Sequence, residues 1–122
     1  MDDSKKEELF YSGLKLFNNR EFYDAHEYWE ELWLEYQLED KKFIQGLIQM
    51  TVAYYHLSTG NKKGALSLLN KCLNKMELFT PCNRGIDVVG IIDRINCSIL
   101  MIEKGQDYEW DLVPLLRVNL KD

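Results

Sequence analysis

The sequence predicts an all-α protein, a single antiparallel bundle of about five helices. Apolar residues recur at intervals of three and four along most of the chain, which is the period of amphipathic helices. Only two prolines and seven glycines interrupt 122 residues, so long helices are possible. A hydrophobic content of 46% is enough to fill the core of one domain of this length. Residues 1–122 are therefore assigned to one helical domain.

The first two helices make up the first of two predicted helical hairpins. Ser4 and Glu7 have the spacing of a capping box, which predicts a helix that starts there and ends at Asn18-Asn19. A second helix is predicted from about Glu21 to Tyr36, with aromatic and aliphatic side chains on its inward side.

The second hairpin follows directly. Asp40 is the predicted cap of a third helix, Lys41 to Ser58, whose apolar composition predicts the central, most buried element. Gly60-Asn61 ends that helix and caps a fourth one, from Lys62 to about Leu78.

The remaining residues, 88–122, are predicted to add one more helix and a tail. Thr80 to Gly85 is expected to be a loop, after which Asp87 caps a fifth helix that stops at Gly105. The tail from Gln106 contains apolar residues that we expect to fold back on the bundle. Pro114 limits any helix in it to a short one.

Charge and composition exclude several classes of function. The chain has 15 Lys and Arg against 20 Asp and Glu, a net charge of −5, which argues against a nucleic-acid surface. No apolar run reaches the roughly 18 residues of a membrane span, and the first residues lack the apolar stretch of a secretory signal. Three scattered cysteines are typical of reduced thiols, which together predicts a cytoplasmic protein.

A polar cluster on the second helix is the first candidate site. His26, Glu27 and Glu30 lie three or four residues apart, so their side chains are on neighbouring turns. An imidazole and a carboxylate at that spacing can bind one ion or act as an acid–base pair. Large rings at adjoining positions are expected to wall the cluster: Phe22, Trp29 and Trp33.

The third helix adds two amides to this cluster. Gln45 and Gln49 are four residues apart, and Val52 and His56 continue the same stripe. In an antiparallel hairpin these amides lie opposite the carboxylates of the second helix. We therefore predict either a buried polar network that orders the core or a polar pocket that binds a small ligand or a partner.

Several segments together resemble a bacterial family called domain of unknown function 309. The resemblance extends from about Leu9 to Asp87, and it implies a small all-helical domain without an assigned activity. It does not extend into residues 88–122. The segments that carry it are Phe17 to Glu27 with Glu30 and Trp33, then Phe43 to Gln49, then Gly60-Asn61 with Gly64-Ala65.

Three hypotheses of function follow from these residues. The favoured one is a non-catalytic protein whose polar cluster orders the core or binds a small ligand or partner. The second is a metal-dependent enzyme, such as a hydrolase, with His26, Glu27 and Glu30 as ligands and Gln45 or Gln49 orienting a substrate. Carboxylate ligands suit Mg²⁺ or Mn²⁺, but the sequence requires no cofactor.

The third hypothesis is a repeat-like scaffold that binds peptides. Ala25 and Ala65 are forty residues apart and superpose one predicted hairpin on the other, a pattern similar to helical repeats. The apolar surface is also generous for a small chain, which predicts that a two-fold homodimer is possible.

Overall fold

The computed structural model of the protein describes residues 3–118 and contains five α-helices in that range, which confirms the predicted fold class. α1 packs on α2 and α3 on α4, forming two hairpins, and α2 also packs on α3. Two short strands, β1 and β2, precede the last helix. The elements are α1 (Asp3–Asn18), α2 (Phe22–Glu35), α3 (Lys41–Ser58), α4 (Lys62–Met76), β1 (Cys82–Asn83), β2 (Ile86–Asp87) and α5 (Val88–Glu103).

α3 is the central helix, as its apolar composition predicts. It lies between α2 and α4, and nine of its 18 residues are buried. Met50, Ala53 and Tyr54 are fully buried. Burying one large apolar side chain contributes about 1.5–3 kcal/mol, so this helix supplies much of the stability of the bundle. Between residues 3 and 118, no helix is both long and apolar enough to pass through a lipid bilayer.

A glycine and a tryptophan set the distance between α1 and α2. Trp29 is fully buried, and its Nε1 donates a hydrogen bond of 3.0 Å to the carbonyl oxygen of Phe10. Gly13 lies against the same indole, and a methyl group at position 13 would be 2.6 Å from Cδ1 of Trp29. Only a residue without a side chain allows the two helices to approach this closely.

The connection between α2 and α3 is anchored by a charged pair. The carboxylate of Asp40 accepts hydrogen bonds from Arg84 at 2.6 and 2.9 Å and from Asn83 at 2.9 Å. The guanidinium of Arg84 also lies 4.6 Å from the ring centroid of Phe10. Asp40 is the N-cap residue of α3, as predicted, but its side chain makes no cap hydrogen bond to that helix. A carboxylate forms a stronger interaction with a charged guanidinium through a bidentate hydrogen bond than with a single backbone N–H.

The segment between α4 and α5 differs from its predicted loop. α4 ends at Met76 rather than Leu78, and a 3-10 helix, Glu77–Phe79, follows it. β1 and β2 then pair antiparallel. Arg84 and Gly85 have φ angles of 52° and 74°, as a two-residue turn of type I′ requires. Strands of two residues are too short to show an alternating pattern in the sequence.

Two of the predicted helix caps are confirmed. The side chain of Asn61 accepts a hydrogen bond of 2.9 Å from the backbone N–H of Gly64, and Asp87 accepts one of 3.0 Å from Gly90. The capping box at the first helix is wrong, because Ser4 lies within α1 and not at its start.

The C-terminal tail folds back on the bundle, as predicted. It contains one 3-10 helix, Trp110–Leu112, and the Trp110 ring stacks on Phe22 at 6.2 Å between centroids. Farther along, the side-chain amide of Asn18 both donates to the carbonyl of Leu116 and accepts from its N–H, each at 2.8 Å. This pair fixes the tail to the end of α1.

The contact between Gly13 and Trp29 generates the first prediction. Gly13→Ala is expected to lower the free energy of unfolding by about 1–3 kcal/mol, because the added methyl overlaps the indole and forces the helices apart. Chemical denaturation measures the change. Ser12→Ala, at the neighbouring half-buried position, serves as the control and is expected to stay within about 0.5 kcal/mol of the wild type. Equal stability of both variants would contradict the packing described.

The second prediction concerns the pH dependence of stability. Burial alone would raise the pKa of Asp40, but the hydrogen bonds and charge of Arg84, with Asn83, outweigh it and hold that pKa below its ordinary value. The resulting stabilisation is complete above the unfolded pKa of about 3.9 and is lost as the pH falls through the lower folded pKa.

Asp40→Asn is therefore expected to cost about 1–3 kcal/mol at pH 7 and to remove this contribution to acid unfolding. Urea unfolding at a series of pH values from 7 to 2 measures both effects. Asp93→Asn, which removes an exposed carboxylate from α5, is the control and is expected to leave the profile unchanged. If the free energy of unfolding falls equally with decreasing pH in Asp40→Asn and in the wild type, the role of the Asp40–Arg84 pair is refuted.

Candidate functional site

The predicted polar cluster lies along the seam between α2 and α3, but it is divided between two grooves. The two helices are antiparallel, so the Tyr23 and Tyr55 rings meet at one end, 5.6 Å between centroids. At the other end the ammonium of Lys41 lies 4.5 Å from the ring centroid of Trp33. A groove of about 250 Å³ near this second end is lined by Glu30, Trp33, Leu34, Gln45, Ile48 and Gln49.

His26 lies in a separate, smaller groove of about 130 Å³, which Phe22, Val52 and His56 also line. Its Nδ1–H donates a hydrogen bond of 2.6 Å to the carbonyl oxygen of Tyr23, one turn earlier in α2. One of its two ring nitrogens is therefore engaged within its own helix. The structure does not place His26 in the groove that contains the two amides.

The carboxylates are on the outer surface, in contrast to the expected cluster buried among rings. Glu27 and Glu30 are both exposed, and Glu27 lines neither groove. Trp29 does not wall the cluster either, because it is fully buried and its indole bonds to α1. Phe22 and Trp33 do line grooves on the seam. The rings therefore do not enclose the cluster as expected, because Glu27 and Glu30 are exposed and Trp29 faces α1.

Two residues that line the groove of about 250 Å³ each have an enclosed polar atom without a hydrogen-bond partner. Nε1 of Trp33 and Oε1 of Gln49 are shielded from solvent, and neither has a partner in the part of the chain that the structure describes. Leaving a buried polar group unpaired costs about 1–3 kcal/mol, and such groups are rare in folded proteins. The chain itself covers both atoms, so neither is open to the groove.

The residues considered as metal ligands do not come together. Across residues 3–118, no three His, Cys, Asp or Glu side chains are grouped so that they could hold an ion. His26 bonds to the backbone of its own helix, and the carboxylates of Glu27 and Glu30 point to solvent. The geometry of residues 3–118 therefore provides no set of ligands for the hypothesis of a metal-dependent enzyme.

A buried hydroxyl network in the core was not predicted. Ser98 bonds to the hydroxyl of Tyr54 at 2.8 Å and to that of Tyr108 at 2.6 Å. Burial raises the pKa of both tyrosines, and that of Tyr54 well above its ordinary value. The network joins α3, α5 and the tail, so no spacing within one helix could reveal it. It explains how buried hydroxyl groups are satisfied and forms no accessible site.

Cys72 is a core residue, as its position in an apolar stripe predicts. It is fully buried, and burial raises the pKa of its thiol to about 12. A thiol with that pKa stays protonated at neutral pH, so it is a poor nucleophile.

A third groove, of about 450 Å³, opens at the start of α2. Tyr23 and Tyr55 line both this groove and the smaller one, so the two are continuous along the seam. Trp110 of the tail forms part of its wall together with Arg20. The sequence did not reveal this groove, because a residue 88 positions after Phe22 completes it.

Comparison with known proteins agrees with the resemblance seen in the motifs. Residues 10–68 match the model of a protein family described as a domain of unknown function (DUF309), a shorter range than Leu9 to Asp87. A protein of Aquifex aeolicus (strain VF5), described as an uncharacterized protein, is 30% identical over 86 residues, which is 70% of this chain and 26% of that protein.

This chain therefore spans about a quarter of the length of its bacterial relative. The family match contains α2 and α3 entirely, and hence most of the residues that line the seam. It is all-helical here, as the resemblance implies. The match over residues 10–68 and the shared motifs confirm the resemblance of this part of the chain to the DUF309 family.

Proposed function

We propose that this protein is a non-catalytic interaction module that binds a helix of a partner protein on the seam between α2 and α3. The observation that carries the proposal is the set of large apolar side chains left exposed along this seam, those of Tyr23, Leu34 and Tyr55.

The side chain of Gln49 is only partly buried, which allows a partner to reach it. Its Oε1 is covered by the chain itself, so a partner contacts this residue through the exposed remainder of the side chain.

Apolar groups exposed along the same seam favour a protein partner over a small polar ligand. The exposed fraction is 63% for the side chain of Leu34, 53% for Tyr23 and 37% for Tyr55. Exposed rings and leucines beside a groove are typical of protein interaction surfaces. The peptide-binding hypothesis requires such a surface, so this observation favours it over the core-ordering role.

The spacing of the exposed residues of α3 indicates a helical partner. Gln45, Gln49, Val52 and His56 are separated by four, three and four residues, and all four line grooves on the seam. This is the spacing of a stripe that packs against another helix in a coiled coil or bundle. An apolar seam with a single row of polar side chains accommodates one helix along its length.

The third prediction tests binding at the seam by site-specific crosslinking. A photo-reactive amino acid is placed at Leu34, beside the groove, in the chain expressed in its native cells. We expect a protein adduct of defined mass after illumination. The same group at Leu100, an exposed leucine on α5, is the control and is expected to give no such adduct.

Ile48→Asp in the same chain is expected to reduce the adduct at position 34 at least tenfold, because it places a charge in the groove. Ile92→Asp, at a similarly half-buried isoleucine of α5, is expected to leave it unchanged. Adducts that form equally at positions 34 and 100, or that persist in Ile48→Asp, would contradict a binding surface at the seam.

A further inference from the structure

Charge is distributed unequally over the three helices that form this face. α2 has five carboxylates and no Lys or Arg, whereas α4 has four lysines and no Asp or Glu. α3 lies between them, and its partly exposed residues from Gln45 to His56 contain no Asp, Glu, Lys or Arg. The face therefore has an acidic edge, an uncharged centre and a basic edge.

The charges on the two edges are at matching heights along α3. Glu30 shares a groove with Gln45, and Lys75 lies beside Gly46, where its Cβ would be 3.3 Å from an added methyl group. α2 and α4 both run antiparallel to α3. Residues about one turn earlier, Glu27 on α2 and Lys71 on α4, are therefore also at similar heights, about 4.5 and 6 Å farther along.

These four side chains are available for contacts with another molecule. Glu27, Glu30 and Lys71 are exposed and Lys75 is half-buried. None of the four forms an ion pair with another residue in the range 3–118. The two carboxylates on the α2 edge are thus complementary in charge to the two lysines on the α4 edge.

We propose that the partner that binds this face is a second copy of the same chain, related by a two-fold axis parallel to α3. The inference rests on the proposed function, because it names the partner of the same seam. Rotation about that axis places α3 on α3 of the other copy, with α2 facing α4 in both directions. Glu27 then meets Lys71 and Glu30 meets Lys75 across the interface.

The same symmetry brings the Gln49 side chains of the two copies together, because identical residues near a two-fold axis meet each other. Oε1 of each is covered by its own chain, so the contact is made by the partly exposed remainder of the two side chains. A polar residue in an otherwise apolar seam fixes the register and the number of helices in coiled coils, and Gln49 takes that role here.

Another arrangement of two copies is electrostatically unfavourable. A two-fold axis in the face but perpendicular to α3 would place α2 on α2, which brings ten carboxylates together without a counter-charge. Like charges at such short distances repel by several kcal/mol in total. The axis parallel to α3 makes every edge contact attractive.

The fourth prediction uses charge reversal. Glu27→Lys/Glu30→Lys places lysines at all four paired positions, and Lys71→Glu/Lys75→Glu places glutamates at all four. We expect each variant alone to dimerise at least tenfold more weakly than the wild type in 50 mM salt, with a smaller difference in 500 mM salt. Sedimentation equilibrium measures the association, and circular dichroism verifies folding; Lys71→Glu alone replaces the second variant if Lys75→Glu unfolds the chain.

An equimolar mixture of the two variants is expected to restore the dimer as a heterodimer, because every edge contact is again attractive. Asp93→Lys/Glu103→Lys reverses two exposed carboxylates of α5 and is expected to leave dimerisation unchanged. A wild type that stays monomeric at 1 mM, or a dimer that none of the reversals weakens, would overturn the proposal.

The two proposals fail in different ways. A monomeric chain whose position 34 still crosslinks to another protein overturns the second copy as partner and leaves the interaction module in place. In that case, an adduct that is lost in Glu27→Lys/Glu30→Lys but retained in Lys71→Glu/Lys75→Glu would identify a basic helix as the occupant. A monomer with no adduct at position 34 overturns both.

Discussion

The burial of α3 between α2 and α4 is the constraint on which the rest of the structure depends. Nine residues of this helix are buried, and between Gln45 and His56 the residues that reach the surface form one strip. The strip is uncharged and has the spacing of a helix-packing stripe. Its neighbours determine what it can bind, because α2 adds carboxylates on one side and α4 adds lysines on the other.

Much of the fold could be predicted because local patterns determine it. The apolar run that predicts α3 ends at the same residues, Lys41 and Ser58, as the helix itself, and Asn61 caps α4 through its own third neighbour. Asp40 shows where such reasoning fails. Its carboxylate bonds to Arg84, 44 residues later, and no local pattern can reveal a partner at that separation.

The candidate site could be predicted only in part, for a related reason. Spacing correctly grouped Gln45 and Gln49 on one stripe, but it could not tell how α2 is rotated about its own axis. That rotation is set by Trp29, whose indole fits against Gly13 and bonds to α1. With Trp29 turned inward, Glu27 has to point outward. The tail residues that complete the larger groove lie too far along the chain to be associated with α2.

The clasp between Asn18 and Leu116 has a consequence for the order in which the molecule opens. Its two hydrogen bonds join residues 98 positions apart, yet they involve only a short segment at the surface of the bundle. A fluctuation that releases this clasp frees the end of the tail, while the bonds of Tyr108 to Ser98 and of Arg94 to the carbonyl of Asp111 still hold its beginning and the helical hairpins remain intact. Proteases and deuterium exchange would encounter that partially opened state long before global unfolding.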